Sequence, residues 1–246
     1  MTAPGRIDCH THLLPFVDDG CRDHDDSEAC ARRLIGNGYT HAVCTSHCRS
    51  DWDPRPPEQV RAEVADLQRH FDERGIPLTL LPGGELSMMH SVEHLRRGDL
   101  TPLGNGNALL FDLWAPGEPD FFYPCIEHLK DMGLQPVLAH PERIEFIARH
   151  GSGHRTLGDG QVDRLAEAGV LLQCNLASLA GTEGSDAREQ SRRWLKEGRY
   201  HLLASDTHRP ETMDQRMRGL QVALEIVGAD GVKQLTQTNP AALLDV

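Results

Sequence analysis

Histidine and carboxylate side chains recur along this chain at the ends of short apolar runs. The first run, RIDCH, leads into His10 and His12, and a later run, HAVCTSH, ends at His47. The ends of other runs carry Glu85, Asp112, His140, Asp206 and His208. Imidazole nitrogen and carboxylate oxygen together suit Zn, Mn or Fe. The set predicts a metal centre, and because it is too large for one ion we expect two or three.

Clustered divalent ions point to one class of reaction, the hydrolysis of phosphate esters. Such ions bind phosphate oxygens, lower the pKa of a bridging water and stabilise the leaving oxygen. The expected step is in-line attack on phosphorus by a hydroxide held between two ions, without a covalent enzyme intermediate. Arg143 and Arg209 lie beside His140 and His208, and a planar guanidinium suits phosphate binding. For either arginine the alternative is a surface ion pair, such as one between Arg143 and Glu142.

Seven apolar runs alternate with segments of helical character. The runs are RIDCH, THAVCTS, LTLLPGG, ALLFDL, QPVLAH, VLLQCNL and YHLLASD. Such runs suit strands buried on both faces of a parallel sheet, and their alternation with helices predicts an α/β fold. The absence of a GxGxxG turn favours a closed barrel over a doubly wound sheet. In parallel barrels the chemistry collects at the carboxyl ends of the strands, where the metal-binding residues fall.

The composition limits the binding partners and the cellular location expected for this protein. The 246 residues carry a net charge of -12, which argues against binding to nucleic acid or to an anionic membrane. No apolar stretch is long enough for a transmembrane helix, and no signal peptide is visible. The seven cysteines form no CxxC pair, so we expect reduced thiols. We therefore expect a cytoplasmic protein without membrane insertion, with one domain over residues 1–246.

Five short motifs, DCHTH, TSH, GGE, AHPER and ASDTH, occur in this order along the chain. Together they resemble the polymerase-and-histidinol-phosphatase (PHP) superfamily. Within it, HLLPFVDDG closely resembles the bacterial capsule-type manganese-dependent protein tyrosine phosphatases, and TNPAALL resembles the Asn-Pro close of that family. The resemblance implies the PHP fold, a distorted seven-stranded (β/α)7 TIM-like barrel. It also implies a trinuclear centre, with Mn as the first expectation and Fe or Zn as alternatives.

The resemblance further implies which side chains hold each ion. The three sets are His10, His12, Glu85 and Asp206 for the first ion, Glu85, Asp112 and His140 for the second, and Asp19, His47 and His208 for the third. Asp19 is assigned in preference to Asp18 because it directly precedes the glycine of the DDG motif. Asp18 is expected to hydrogen-bond within its loop. Asp8 is expected to orient a ligating histidine, as carboxylates often do at metal sites.

In two places this chain departs from the phosphatases it resembles. They usually have glutamate where this chain has Asp112, whose side chain is one methylene shorter. Three outcomes stay open for Asp112: it draws its ion inward, ligates through water, or does not ligate. The phosphatases also have extra residues before the arginine that corresponds to Arg209, so the reach of Arg209 to the phosphate is open as well.

The expected function is that of a metal-dependent phosphomonoesterase acting on protein phosphotyrosine. In the family that the chain resembles, the substrate is the tyrosine-rich tail of a polysaccharide-export kinase. One alternative is a PHP phosphatase for a small molecule such as histidinol phosphate, and another is a non-catalytic metal-binding PHP module. The VDDG stretch and the compact length favour the tyrosine group, and the full set of ligand positions favours an enzyme.

Overall fold

The computed structural model describes residues 4–48, 55–88, 92, 95–148 and 155–246, in which strands and helices alternate. The strands are β1 (Arg6–Thr11), β2 (Tyr39–Cys44), β3 (His47–Cys48), β4 (Thr79–Pro82), β5 (Glu85–Ser87), β6 (Ala108–Asp112), β7 (Gln135–Ala139), β8 (Leu171–Asn175) and β9 (Leu202–Ala204). The helices are α1 (His24–Gly36), α2 (Pro57–Glu73), α3 (Phe122–Asp131), α4 (Arg155–Glu167), α5 (Leu176–Ala180), α6 (Ser185–Lys196), α7 (Met213–Lys233) and α8 (Asn239–Leu244). The predicted α/β class is confirmed.

The strands form two sheets in which every paired strand runs parallel to its neighbour. One sheet has the order β1-β2-β4 and the other β3-β5-β6-β7-β8-β9. The sequence predicts seven strands, whereas the described residues contain nine. The difference arises because two of the predicted strands are interrupted. The run HAVCTSH gives both β2 and β3, and LTLLPGGEL gives both β4 and β5.

Two glycines mark the interruption between β4 and β5. A Cβ atom at Gly83 would lie 2.6 Å from Val43 Cγ1, and one at Gly84 would lie 2.6 Å from Cys48 Sγ. Only glycine permits such a close approach to neighbouring side chains. Strand β5 then begins at Glu85, which pairs in register with His47 of β3. The break therefore brings a carboxylate and an imidazole side by side.

Strands β1 and β9 lie next to each other at their carboxyl ends. The His12 backbone N–H donates to the Thr207 carbonyl oxygen at 2.7 Å, and the Asp206 N–H donates to the His10 carbonyl oxygen at 2.9 Å. Thr11 and Thr207 also form an isolated parallel bridge. These backbone contacts place two histidines from one end of the chain beside an aspartate from the other.

Side chains along a strand alternate between two apolar clusters. In β6, Ala108 and Leu110 belong to a small cluster made mostly of strand residues, whereas Leu109 and Phe111 belong to a larger cluster that includes residues of many helices. Asp112 continues the face of Ala108 and Leu110 and is buried. The face of β6 that carries Ala108 and Leu110 therefore ends in a buried carboxylate.

The helices pack through apolar stripes at helical spacing. In α2, Val60, Val64, Leu67 and Phe71 are buried, as the 3.6-residue period predicts. Helix α7 contains Gly228 with φ 71° and ψ -179°, so its backbone leaves the helical conformation at that residue. In the described part of the chain, no helix has both the length and the apolar character that a membrane crossing needs.

The cysteines do not form disulfides. All seven lie in described parts of the chain, six of them are buried, and none is bonded to another. Reduced thiols were the expectation from their number and spacing, and the structure agrees with it.

Replacing Cys44 with serine should lower the free energy of unfolding. The Cys44 side chain is fully buried in the larger apolar cluster, and serine would place a hydroxyl there at a cost of about 1–3 kcal/mol. Urea unfolding measures this cost, and Cys44→Ala, which adds no polar group, is the control. Equal stabilities of Cys44→Ser and the unchanged protein would contradict the buried placement.

Candidate metal centre

Donor atoms of four side chains lie close together: His10 in β1, His12 directly after it, Glu85 in β5 and Asp206 in the turn after β9. His10 Nε2 lies 3.2 Å from His12 Nε2, 3.3 Å from Glu85 Oε2 and 3.4 Å from Asp206 Oδ1. His12 Nε2 lies 3.4 Å from Glu85 Oε2 and 3.5 Å from Asp206 Oδ1. Four ligands about 2.1 Å from one ion in tetrahedral geometry lie about 3.4 Å from one another. The five separations given above are close to those expected around a single transition-metal ion.

A second group of donors surrounds Asp19 in the loop between β1 and α1. His47 Nε2 lies 3.4 Å and His208 Nε2 lies 3.5 Å from Asp19 Oδ1, and His12 completes the group. The loop reaches this position because Gly20 packs directly on His12, where a Cβ atom would collide with the His12 backbone oxygen. The glycine of the DDG motif thus allows Asp19 to face the histidines.

Glu85 connects the donor groups. Its Oε2 lies 3.0 Å from His47 Nδ1, and its Oε1 lies 3.2 Å from His140 Nε2. Donor atoms of Glu85 form one compact group with His10 and His140, and another with His47 and Asp112. Asp112 Oδ1 is buried and has no hydrogen-bond partner among the described residues. Because buried polar atoms are normally satisfied, this oxygen fits a ligand atom.

Two neighbouring side chains orient the rings of His10 and His12. His10 Nδ1 lies 3.0 Å from Gln173 Oε1, and His12 Nδ1 lies 2.8 Å from Asp18 Oδ2. Such partners fix the imidazole tautomer so that Nε2 faces the ion. Asp18 also accepts from the Gly20 N–H, as expected of a loop residue. Gln173 is not among the residues predicted from the sequence, although a polar residue inside the apolar run VLLQCNL is a signal for it.

Asp8 does not contact an imidazole ring, as was expected of it, but binds backbone N–H groups. Its Oδ1 accepts hydrogen bonds from the backbone N–H groups of His10 at 3.3 Å and Ser205 at 3.1 Å, and not from an imidazole ring. Burial raises the pKa of Asp8 to about 6. Asp8 therefore joins the backbone of β1 to that of the turn after β9 and holds the ligand-bearing segments together.

Two of the predicted ligands occupy the left-handed region of the backbone map. φ is 36° at His140 and 53° at Asp206. A residue with a Cβ atom in this region costs about 1–3 kcal/mol, and such strain is typical of functional sites. Both residues stand just beyond the end of a strand, so the change of backbone direction turns their side chains into the cluster.

The acids and imidazoles shift one another's pKa values. Burial raises the pKa of Asp112 to about 7, and the charge of Glu85 adds to this rise. Burial would lower the pKa of His47, but its contacts with Asp19 and Glu85 raise it to about 10. Burial likewise opposes the charge of Glu85, yet the surrounding histidines hold its pKa well below the usual range. These imidazoles must release their protons when they ligate a metal.

Arg143 lies inside this network. Its Nη1 is 3.1 Å from Asp206 Oδ2 and 3.3 Å from Glu183 Oε1. Its guanidinium carbon lies 5.0 Å from the centre of the Trp114 ring. The alternative expectation for Arg143 was an ion pair with Glu142. In the structure its partners are Glu183 and Asp206 instead. Arg143 therefore stands beside the first donor set.

Arg209 is placed differently. It is exposed and donates from Nη2 to the Asp19 carbonyl oxygen at 3.4 Å. Arg216, which is not among the residues predicted from the sequence, donates to the Ser205 carbonyl oxygen at 2.6 Å and lies 3.6 Å from Asp206 Oδ2. No local motif marks Arg216, because it lies within helix α7 and reaches the centre only through tertiary packing.

Comparison with known proteins assigns the chain to a family. The family described as capsular polysaccharide synthesis, CpsB/CapC, matches residues 6–245. The chain belongs to the CpsB/CapC family. The predicted resemblance to the capsule-type phosphatases is thereby confirmed, and the match spans all the predicted ligands from His10 to His208.

Relatives of this CpsB/CapC member have names that agree with the resemblance. The tyrosine-protein phosphatase YwqE of Bacillus subtilis is 30% identical over 207 residues, which is 84% of this chain and 78% of that protein. The tyrosine-protein phosphatase CpsB of Streptococcus pneumoniae is 23% identical over 97% of this chain and 98% of its own. A solved structure from crystallographic work on YwqE and CpsB, described as metal-dependent tyrosine phosphatases, covers 97% of this chain and 94% of that chain. It aligns with a TM-score of 0.85 and 29% identity.

Strain at His140 in this CpsB/CapC member should appear as a difference between two variants. His140→Ala and His140→Gly both remove the imidazole, but glycine accepts φ 36° without a Cβ clash. The glycine variant should therefore have the higher free energy of unfolding, by about 1 kcal/mol. Urea unfolding with a chelator present measures the difference without a contribution from metal binding.

The matched control is His201, which is not among the residues with positive φ. There the glycine variant should be less stable than the alanine variant, by about 0.5–1 kcal/mol. The same order at both positions would show that the backbone at His140 is unstrained.

Proposed function

We propose that this protein is a metal-dependent protein-tyrosine phosphatase of capsule or exopolysaccharide synthesis. The close grouping of donor atoms from His10, His12, Glu85 and Asp206, with five separations of 3.2–3.5 Å, carries the proposal. Membership of the CpsB/CapC family and similarity to the phosphatases YwqE and CpsB support the substrate class. The substrate is a phosphotyrosine-bearing protein, and the tyrosine-rich tail of a polysaccharide-export kinase is the expected partner.

The proposed cofactor is a cluster of two to three divalent transition-metal ions. The ligands are His10, His12, Glu85 and Asp206 for the first ion, Glu85, Asp112 and His140 for the second, and Asp19, His47 and His208 for the third. Mixed nitrogen and oxygen donors accept Mn, Fe and Zn, and Mn is the first expectation. When bound, such ions supply Lewis acidity toward a phosphate ester and make water a nucleophile at neutral pH.

The chain's own side chains position the reactants. Arg143 lies beside the first donor set and is placed to bind a phosphate oxygen by a charge-assisted hydrogen bond. Gln173 and Asp18 keep the rings of His10 and His12 in place. Because these supports are buried, the donor geometry is set before the substrate arrives.

We propose that the fold is a closed PHP-type barrel. The two sheets form one distorted seven-stranded barrel, in which β2 and β3 together count as one interrupted strand, as do β4 and β5. The bridge between Thr11 and Thr207 supports closure between β9 and β1. One PHP-type domain spans residues 1–246. The seven cysteines without disulfides support a cytoplasmic location.

Metal removal and a choice of substrates test the function. The purified protein should contain two to three transition-metal ions per chain, lose turnover of a phosphotyrosine peptide after chelation, and recover it with added Mn²⁺. Faster turnover of histidinol phosphate than of the peptide would indicate a small-molecule phosphatase. A metal-loaded protein that turns over neither compound would be a non-catalytic module, and peptide turnover by the metal-free protein would contradict the mechanism.

The two arginines should differ in their effect on turnover. Arg143→Lys keeps the charge but loses the planar fork. At saturating metal it should lower kcat/KM for the peptide by about 10- to 100-fold, the effect of a hydrogen bond to a charged group. Arg209→Lys should change kcat/KM by less than about threefold, because an exposed side chain is weakly coupled to the centre. Equal losses in the two variants would place Arg209 on the phosphate as well.

A further inference from the structure

One exposed aromatic side chain lies against the candidate metal centre. The Trp114 side chain is 60% exposed, although tryptophan is highly buried on average. The other large apolar side chains that are exposed in the described part of the chain are Phe16 and Val246. Of these three residues, Trp114 stands two positions after a predicted ligand, Asp112, and contacts it directly.

Trp114 is exposed and yet fixed in place. Its Nε1–H donates to Asp112 Oδ2 at 2.6 Å. The Arg143 guanidinium carbon lies 5.0 Å from the centre of the indole, and the centre of the His140 ring lies 6.0 Å from it. All three neighbours belong to the proposed phosphate and metal site. The exposed remainder of the ring is therefore a rigid aromatic surface at the edge of that site.

We propose that the exposed indole of Trp114 binds the aromatic ring of phosphotyrosine and selects aryl over alkyl phosphates. This inference rests on the proposed function. Phosphotyrosine carries its phosphate directly on the ring, so a phosphate bound by Arg143 brings that ring next to Trp114. Aromatic rings attract one another in offset and edge-to-face geometries beyond the effect of area alone. Phosphoserine, whose phosphate sits on a single methylene, offers no ring for this contact.

The indole has two separable parts. Its N–H holds one oxygen of Asp112, while the other oxygen has no partner among the described residues. The ring system itself provides the proposed contact with the substrate. Trp114→Phe keeps an aromatic ring and removes the N–H, whereas Trp114→Leu removes both. The difference between these two variants isolates the ring.

Binding of two phosphonates measures the contribution of the ring. Phenylphosphonate and methylphosphonate have the same head group, and neither is hydrolysed at its carbon–phosphorus bond. In calorimetric titrations of the full chain at saturating Mn²⁺, the unchanged protein should bind phenylphosphonate more tightly. Relative to Trp114→Phe, Trp114→Leu should bind phenylphosphonate about two- to tenfold more weakly, the effect of one aromatic pair. Methylphosphonate should bind equally to both variants.

A matched control is Tyr123→Leu. The Arg164 guanidinium carbon likewise lies 4.5 Å from the centre of the Tyr123 ring, but Arg164 pairs with Glu118 and not with a predicted ligand. This variant should keep the preference of the unchanged protein for phenylphosphonate. Equal binding of phenylphosphonate by Trp114→Leu and Trp114→Phe would overturn the inference, and so would a parallel loss for methylphosphonate.

The outcome is separate from that of the proposed function. A protein that hydrolyses the phosphotyrosine peptide but shows no ring effect in these titrations keeps its function and loses this inference. A protein that shows the ring effect but hydrolyses no phosphotyrosine peptide keeps the aryl contact of Trp114 and loses the proposed function.

Discussion

The buried carboxylate of Glu85 is the constraint on which the centre depends. Its oxygens lie 3.0–3.4 Å from nitrogen atoms of four histidines, His10, His12, His47 and His140. A buried charge is costly unless it is paired, and the imidazoles around Glu85 provide the pairing. Two histidines within strands, His10 and His47, and two that directly follow strands, His12 and His140, must therefore keep their places for this charge to be tolerated.

Irregular features of the backbone hold these side chains in position. The Gly83–Gly84 break ends one strand early and starts the next at Glu85, beside His47. The left-handed backbone at His140 and Asp206 turns two side chains into the cluster at the cost of local strain. A fold optimised for stability alone would avoid all of these features. Their concentration at one end of the strands is what a binding centre requires.

Much of this centre follows from the order of residues along the chain. Parallel strands with buried faces end at a common edge, so the histidines and acids that end the apolar runs were expected to meet there. Nine predicted ligands do lie in compact donor groups. The break between β4 and β5 was harder to foresee, because it depends on the close approach of Gly83 and Gly84 to side chains of β2 and β3.

The sequence by itself determined the types of donor, their positions at strand ends and the family to which the chain belongs. Only the tertiary structure decided how the donors are shared and supported. It pairs Gln173 with the His10 ring and Asp18 with the His12 ring, and it directs Asp8 to backbone N–H groups. It also places the indole of Trp114 between Asp112 and Arg143. The physical reason is that a strand pattern fixes the face and the end on which a side chain lies. The partner of each polar atom depends on contacts between residues far apart in the chain, at distances that must be correct to within a few tenths of an ångström.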